Sequence, residues 1–147
     1  MDAKPVRDSA LELPYYVSDA DMNTKGMLHG GQMFKIIDSY AGRVAAAHAE
    51  RDCVTISFDR MVFRTPVYTD ELLIFRLSVN RAWNTSMEIG AKVHVVRNDK
   101  EVYVASAYLT FVSVDRKPVP EVLPETQDEI RRYYQADMRK RLRTAER

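Results

Sequence analysis

The chain has 147 residues, 22 basic against 21 acidic, and one cysteine. That length suits one domain with a real core and leaves too little for two, and the balanced charge argues against nucleic acid or an acidic membrane surface as partner. Cys53 alone excludes an intramolecular disulfide and fits a reducing compartment; with no bilayer-length apolar run and no signal-peptide core in Met1-Asp2-Ala3-Lys4-Pro5, a cytoplasmic protein without membrane insertion is expected.

Residues 1 to about 10 are polar and are expected to be loosely held. Leu11 to Val17 reads as a short strand, followed by a polar loop from Ser18 to Lys25. From Gly30 to about Ala49 the pattern turns helical, with Met33, Ile37, Tyr40, Val44 and His48 at helical spacing. The neighbouring face is small (Ala41, Gly42, Ala45), and Gly42 inside a helix points to close packing. Burial on nearly all sides is the expectation for this helix.

The period then changes to two. Val54, Ile56, Phe58 and Val62 alternate with Thr55, Ser57, Asp59 and Met61, ending at Thr65-Pro66. Leu73 to Asn80 and Met87 to Val95 alternate in the same way; Arg97-Asn98-Asp99-Lys100 reads as a tight turn before a long strand, Val102 to Val114. Short turns between these last three strands predict an antiparallel meander. The prolines of Lys117 to Pro124 make that stretch an extended connector. Thr126-Gln127-Asp128-Glu129 has capping-box spacing, and Ile130, Tyr134, Met138 and Leu142 give the last helix one apolar stripe. Its six basic residues from Arg131 to Arg143 could meet phosphates, but such runs are more often solvated faces.

The stretch with chemistry in it is Asn23-Thr24-Lys25-Gly26-Met27-Leu28-His29-Gly30-Gly31, which runs into the first helix and reaches Asp38 two turns later. Unpaired N–H groups at a helix start lie at the positive end of the dipole, so Gly30 and Gly31 could stabilise an oxyanion. The spacing is neither a dinucleotide fingerprint nor a P-loop. Asp38 reads either as an ordinary helix acid or as a functional carboxylate; its flanks Ile36, Ile37, Tyr40 and Ala41 give it a strong need for a partner. It lies seven residues past Gly31, about 10 Å along a helix, so the two cannot touch one carbonyl directly. His29, His48 and His94 show no metal-ligand spacing, and His48 reads as a core histidine. Cys53 lacks a histidine partner and no serine sits in a nucleophile elbow, which disfavours the nucleophile-triad classes.

The segment Asn23 to Asp38 closely resembles the start of the long helix in hotdog-fold acyl-CoA thioesterases of the cytosolic acyl-CoA hydrolase type. Four further blocks extend the resemblance from about Asp21 to Arg143: Val54 to Asp59 with Phe63 and Pro66, Asn84 to Glu88, Thr110 to Asp115, and Pro118-Val119-Pro120 with Pro124-Glu125-Thr126. The resemblance implies an α+β hotdog fold, a long helix wrapped by a curved antiparallel sheet plus a C-terminal helix. One domain would fill residues 1–147, with a core of about 11–115, a connector of 116–124 and a helix of about 125–145. It implies a homodimer assembling to a hexamer and hydrolysis of acyl-CoA to fatty acid and coenzyme A. The catalytic aspartate falls on Asp38, as general base or nucleophile, and the catalytic asparagine on Asn23 of the partner subunit. Coenzyme A contacts fall by position on Ile56, Ser57, Phe58, Thr85, Ser86 and Met87, with Arg139 best placed for a phosphate. No metal or separate cofactor is implied, coenzyme A being part of substrate and product. Two departures, a segment before Asn23 without the usual proline and Asn84 in place of a turn glycine, bear on acyl-chain choice. The competing readings are an aryl-CoA type of hotdog thioesterase and a non-catalytic acyl-CoA binding protein.

Overall fold

The computed structural model describes residues 1–145. The first helix, α1 (Gly30–Ala49), lies between two strands that end up at opposite edges of one sheet: β2 (Leu11–Tyr16) before it and β3 (Cys53–Phe63) after it. Between those edges run β4 (Leu72–Trp83), β5 (Ser86–Arg97) and β6 (Lys100–Ser113), giving the antiparallel order β2-β4-β5-β6-β3. The chain must cross the sheet's width between β2 and β3, and α1 is the element that makes the crossing. The meander is made by two-residue turns. Asn98 and Asp99 both take positive φ (53° and 60°), the geometry that matches strand twist in a tight hairpin.

Alternation puts Leu73, Phe75, Leu77 and Val79 of β4 on the face toward α1, beside Met87, Ile89, Ala91, Val93 and Val95 of β5. The helix answers with Met33, Ile37, Ala41, Val44, Ala45 and His48. Small residues at Ala91, Ala105 and Ala107 keep the sheet floor low under the helix. Gly42 rests over Phe111, where an added Cβ would lie 3.7 Å from the ring, an ordinary contact. This is the hotdog arrangement. The expectation of a helix buried on nearly all sides is corrected: Phe34, Lys35, Ser39, Arg43 and Ala47 form an exposed stripe. That stripe points away from the chain's own sheet, which covers only one side of α1.

The N-terminus is also held more firmly than its polarity suggested. Strand β1 (Lys4–Pro5) pairs in parallel with β7 (Val122–Leu123) inside the proline-rich connector. A 3-10 turn, Val6–Asp8, then buries Val6. Lys4 Nζ donates to Ala47 O (3.0 Å) and His48 O (3.1 Å), placing a cation on the carbonyls that close α1. His48 itself is fully buried and donates from Nε2 to Pro120 O (2.7 Å), tying the helix end to the connector.

The second helix, α2 (Gln127–Ala145), begins as predicted: Thr126 Oγ1 accepts from Glu129 N–H (3.1 Å). The Glu129 carboxylate reaches one residue further back than in a standard box, to Glu125 N–H (2.9 Å). Its orientation is the opposite of what the stripe implied. Ala136 is buried, and Tyr133, Arg139 and Arg143 are half-buried against the sheet, while Ile130, Tyr134, Met138 and Leu142 are 42–64% exposed. The cause is on the sheet's outer face, where Glu88 is completely buried and Asp59 nearly so. Arg139 bonds both oxygens of Glu88 (2.7 and 3.0 Å), Arg143 pairs with Asp59, and Asn80 donates to Glu88 (2.9 Å). An unpaired buried carboxylate costs several kcal/mol, so satisfying two of them outweighs hiding four apolar side chains.

Candidate active site

The loop before α1 is built around a buried carboxylate. Asp21 accepts from Tyr15 OH (3.0 Å), Ser18 N–H (2.9 Å) and Gln32 Nε2 (2.9 Å), and its own carbonyl accepts from His29 N–H (2.8 Å). Inside this frame the chain folds back on itself at Gly26, whose φ of 77° a side chain would resist. Asn23 N–H donates to Met27 O (2.7 Å), and Asn23 Oδ1 accepts from Lys25 N–H (2.8 Å) and Met27 N–H (3.1 Å). Two backbone donors therefore fix the amide: its oxygen serves the loop, and its NH₂ makes no hydrogen bond among the described residues. Asn23 lines a cavity of about 320 Å³ together with Met27, Gly30, Phe63 and Pro66.

His29 caps α1, and its Nδ1 accepts from Gly31 N–H (2.9 Å). A Cβ at Gly31 would lie 3.1 Å from that ring, so the cap requires the glycine. The Gly31 N–H is thus taken up by the cap. Gly30 N–H forms no hydrogen bond among the described residues and borders the Asn23 cavity. Of the expected pair of oxyanion donors, this conformation leaves Gly30 available.

Asp38 is half-buried and accepts from Thr55 Oγ1 at 2.6 Å. Thr55 comes from β3, the open edge of the sheet, where Val54 and Ile56 stand 50% and 57% exposed. The sequence reading did not single out Thr55. Its polar place in the strand alternation was visible, but only the topology shows that β3 runs beside Asp38. Asp38 lies eight residues past Gly30, about 12 Å along the helix axis, and does not line the Asn23 cavity. One chain therefore holds the candidate residues in two separate groups: Asn23 with Gly30, and Asp38 with Thr55.

The residues matched to coenzyme A divide in the same way. Ile56 points outward, while Ser57 and Phe58 are half-buried; the Phe58 ring stacks on Phe34 at 3.9 Å. Thr85 and Ser86 are half-buried at the β4–β5 turn. Met87 has no exposed surface, because alternation places it over the core opposite Phe111, so its side chain offers nothing to a ligand. Arg139 faces the sheet. Its guanidinium is held by Glu88 and lies 3.6 Å over the Tyr108 ring, rather than reaching outward for a phosphate. Among the described residues no group of three or more His, Cys, Asp and Glu side chains could hold a metal ion, and no helix is long and apolar enough to cross a membrane.

The profile of the thioesterase superfamily matches residues 25–102. Protein VdlD of Helicobacter pylori is 33% identical over 139 residues, covering 91% of this chain and 80% of that protein. Among solved structures, an acyl-CoA hydrolase from Staphylococcus aureus, in complex with butyryl coenzyme A, coenzyme A and coenzyme A disulfide, superposes with a TM-score of 0.93 at 31% identity, covering 98% of this chain and 92% of that one. Variants of that hydrolase with alanine in place of one asparagine, one aspartate or one threonine superpose equally well. A hexameric acyl-CoA thioesterase superposes with a TM-score of 0.94 at 31% identity, covering 99% of this chain and 97% of that one.

Proposed function

Because the chain belongs to the thioesterase superfamily, we propose that it hydrolyses acyl-CoA thioesters to a free acid and coenzyme A, at sites shared between two copies. The observation that carries this reading is the pair of half-sites: Asn23 opens into a cavity with Gly30, while Asp38 and Thr55 stand about 12 Å along the helix. A two-fold dimer made through the exposed stripe of α1 and the open edge of β3 brings Asn23 of one copy to Asp38 of the other, twice over. The asparagine, aspartate and threonine replaced in the staphylococcal variants stand at the same spacing along their chain as Asn23, Asp38 and Thr55 do here.

The free NH₂ of Asn23 and the N–H of Gly30 donate to the thioester carbonyl oxygen, where negative charge develops. Asp38 of the other copy takes a proton from water as the water oxygen bonds to the carbonyl carbon. The tetrahedral intermediate then collapses, the carbon–sulfur bond breaks, and the proton held by Asp38 passes to the departing thiolate. Direct attack by Asp38 gives the same products through an anhydride, and one labelled oxygen in Asp38 after a single turnover marks that route. Thr55 holds one carboxylate oxygen and leaves the other for the proton. Coenzyme A, which is part of substrate and product, lies along Ile56, Ser57 and Phe58 and the Thr85-Ser86 turn. Three such dimers form a hexamer in this reading, which the hexameric state of one relative supports. A thiol-release assay across short, medium and long aliphatic acyl-CoAs and an aromatic one tests the reading. Release from the aliphatic series is expected; coenzyme A binding without release from any ester would make the protein a binder.

A further inference from the structure

The fold leaves one organised apolar feature unused. Ile130, Tyr134, Met138 and Leu142 of α2 are 42%, 63%, 64% and 64% exposed, and they lie in a single row along the helix. Other large exposed apolar side chains either belong to the α1–β3 face (Phe34, Val54, Ile56, Phe63) or stand singly at strand and connector ends. Nothing in the attachment of α2 to its own sheet uses the row, since that attachment runs through Arg139, Arg143 and Tyr133.

We propose that this row is the second contact surface of the assembly, on which α2 of another copy packs. Residues spaced by four form the ridge that interlocks with an equal ridge on a second helix crossed at about −50°, the commonest helix-packing class. A ridge meeting its own copy is self-complementary about a two-fold axis. The charges beside it suit that arrangement: Asp128–Arg131 near the start and Asp137–Arg141 further along offer both signs at each end. The inference rests on the six-copy assembly proposed above, but not on the hydrolytic chemistry. A dimer through α1 and β3 uses one two-fold contact and stops at two copies. A second, different two-fold contact per chain links dimers, and three dimers close a ring of six. The hexameric relative matches 99% of this chain, so α2 falls within the matched region.

At these exposures the four side chains offer on the order of 100 Å² each, about 400 Å² per copy. That is half of the roughly 800 Å² per partner in a standard interface. The α2 contact alone is therefore weak, and ring closure must reinforce it, so hexamers should separate into dimers on dilution before dimers separate into single chains.

The test is the molar mass of the full chain by light scattering, with activity per chain measured alongside. The parent should run as six copies. Tyr134→Glu with Met138→Glu should cut the mass threefold to dimers, with turnover per chain unchanged within about twofold. Tyr134→Phe with Met138→Leu keeps the ridge apolar and should remain at six. Should the charged pair misfold, as judged by circular dichroism, Leu142→Glu near the helix end must produce the same fall in mass. A charged variant that stays at six copies, or a parent that runs as a dimer, overturns the proposal. Either result leaves thioester hydrolysis intact, and an inactive parent would leave the mass result standing.

Discussion

Thr55 donates a 2.6 Å hydrogen bond to Asp38, joining the open edge strand to the central helix at the one carboxylate proposed to handle the proton. A hydrogen bond to a charged group contributes about 1.5–3 kcal/mol. If Thr55 orients Asp38 for proton transfer, Thr55→Ala should lower kcat roughly ten- to a hundredfold, with KM little changed. Thr55→Ser, which keeps the hydroxyl, should recover most of the loss. An alanine variant with wild-type turnover would reduce the contact to a structural one.

Asp38→Asn is close in shape but accepts no proton. Its turnover should fall on the order of a hundred- to ten-thousandfold, the range for a lost general base. Coenzyme A binding, followed by calorimetry, should persist. Substantial residual hydrolysis would remove Asp38 from the mechanism.

The proposed sharing of the site makes a prediction about mixtures. Asn23→Ala and Asp38→Ala homodimers should each be nearly inactive. Refolded together in equal amounts, half of the dimers are mixed, and each mixed dimer holds one intact and one doubly altered site. Roughly a quarter of all sites should regain activity, by the symmetry of closed pairs. If no mixing ratio restored activity, both groups would come from one chain.

Arg139 now carries a prediction about stability. Leaving Glu88 buried without its main partner costs about 3–5 kcal/mol, which for a domain of this size lowers Tm by roughly 10 °C. Arg139→Met should show that loss in calorimetry. Its KM should change alike for CoA esters and for short thioesters without the nucleotide. A rise confined to CoA esters would restore the phosphate role expected from the sequence.

His48 couples stability to pH. Burial holds its imidazole below the ordinary 6.5, so the native state prefers it neutral. Between the lowered folded value and 6.5 the unfolded chain binds more protons, and stability therefore rises with pH through that window. The contribution is complete above 6.5 and is lost as pH falls below it. Thermal melts from pH 7.5 to 5 should show this decline, and His48→Met should flatten it. His94, also lowered by burial, contributes in the same direction and remains in the variant.

Alternation and turn chemistry made the sheet legible in the sequence, because Leu73 to Val79 and Met87 to Val95 bury every second residue. The Thr126 cap was legible because it is a contact three residues long. The facing of α2 was not. Periodicity shows that Ile130 to Leu142 share a face, but what covers that face depends on Glu88, which an alternating strand pattern assigns to solvent. Glu88 is buried only because α2 lies over it. The hold on the N-terminus escaped notice for a similar reason, since Lys4 finds its carbonyls more than forty residues away. Asp38 could be named from the helix behind the glycine-punctuated loop and Asn23 from the family resemblance, whereas Thr55 became visible only once the strand order placed β3 beside the helix.

The outer edge of β3 is interrupted twice, where its pairing with β6 shifts register between Thr55 and Ser57 and again between Phe58 and Arg60. Regular strands from unrelated chains add most readily to an edge whose donors and acceptors run in unbroken phase, and bulges break that phase. An identical strand meeting it about a two-fold axis carries the same interruptions in mirrored sequence order, so each kink can be met by its own counterpart. In the proposed dimer the bulged edge would thus act as a key cut for self-recognition, guarding an exposed ribbon against promiscuous β-aggregation while nascent chains look for one another.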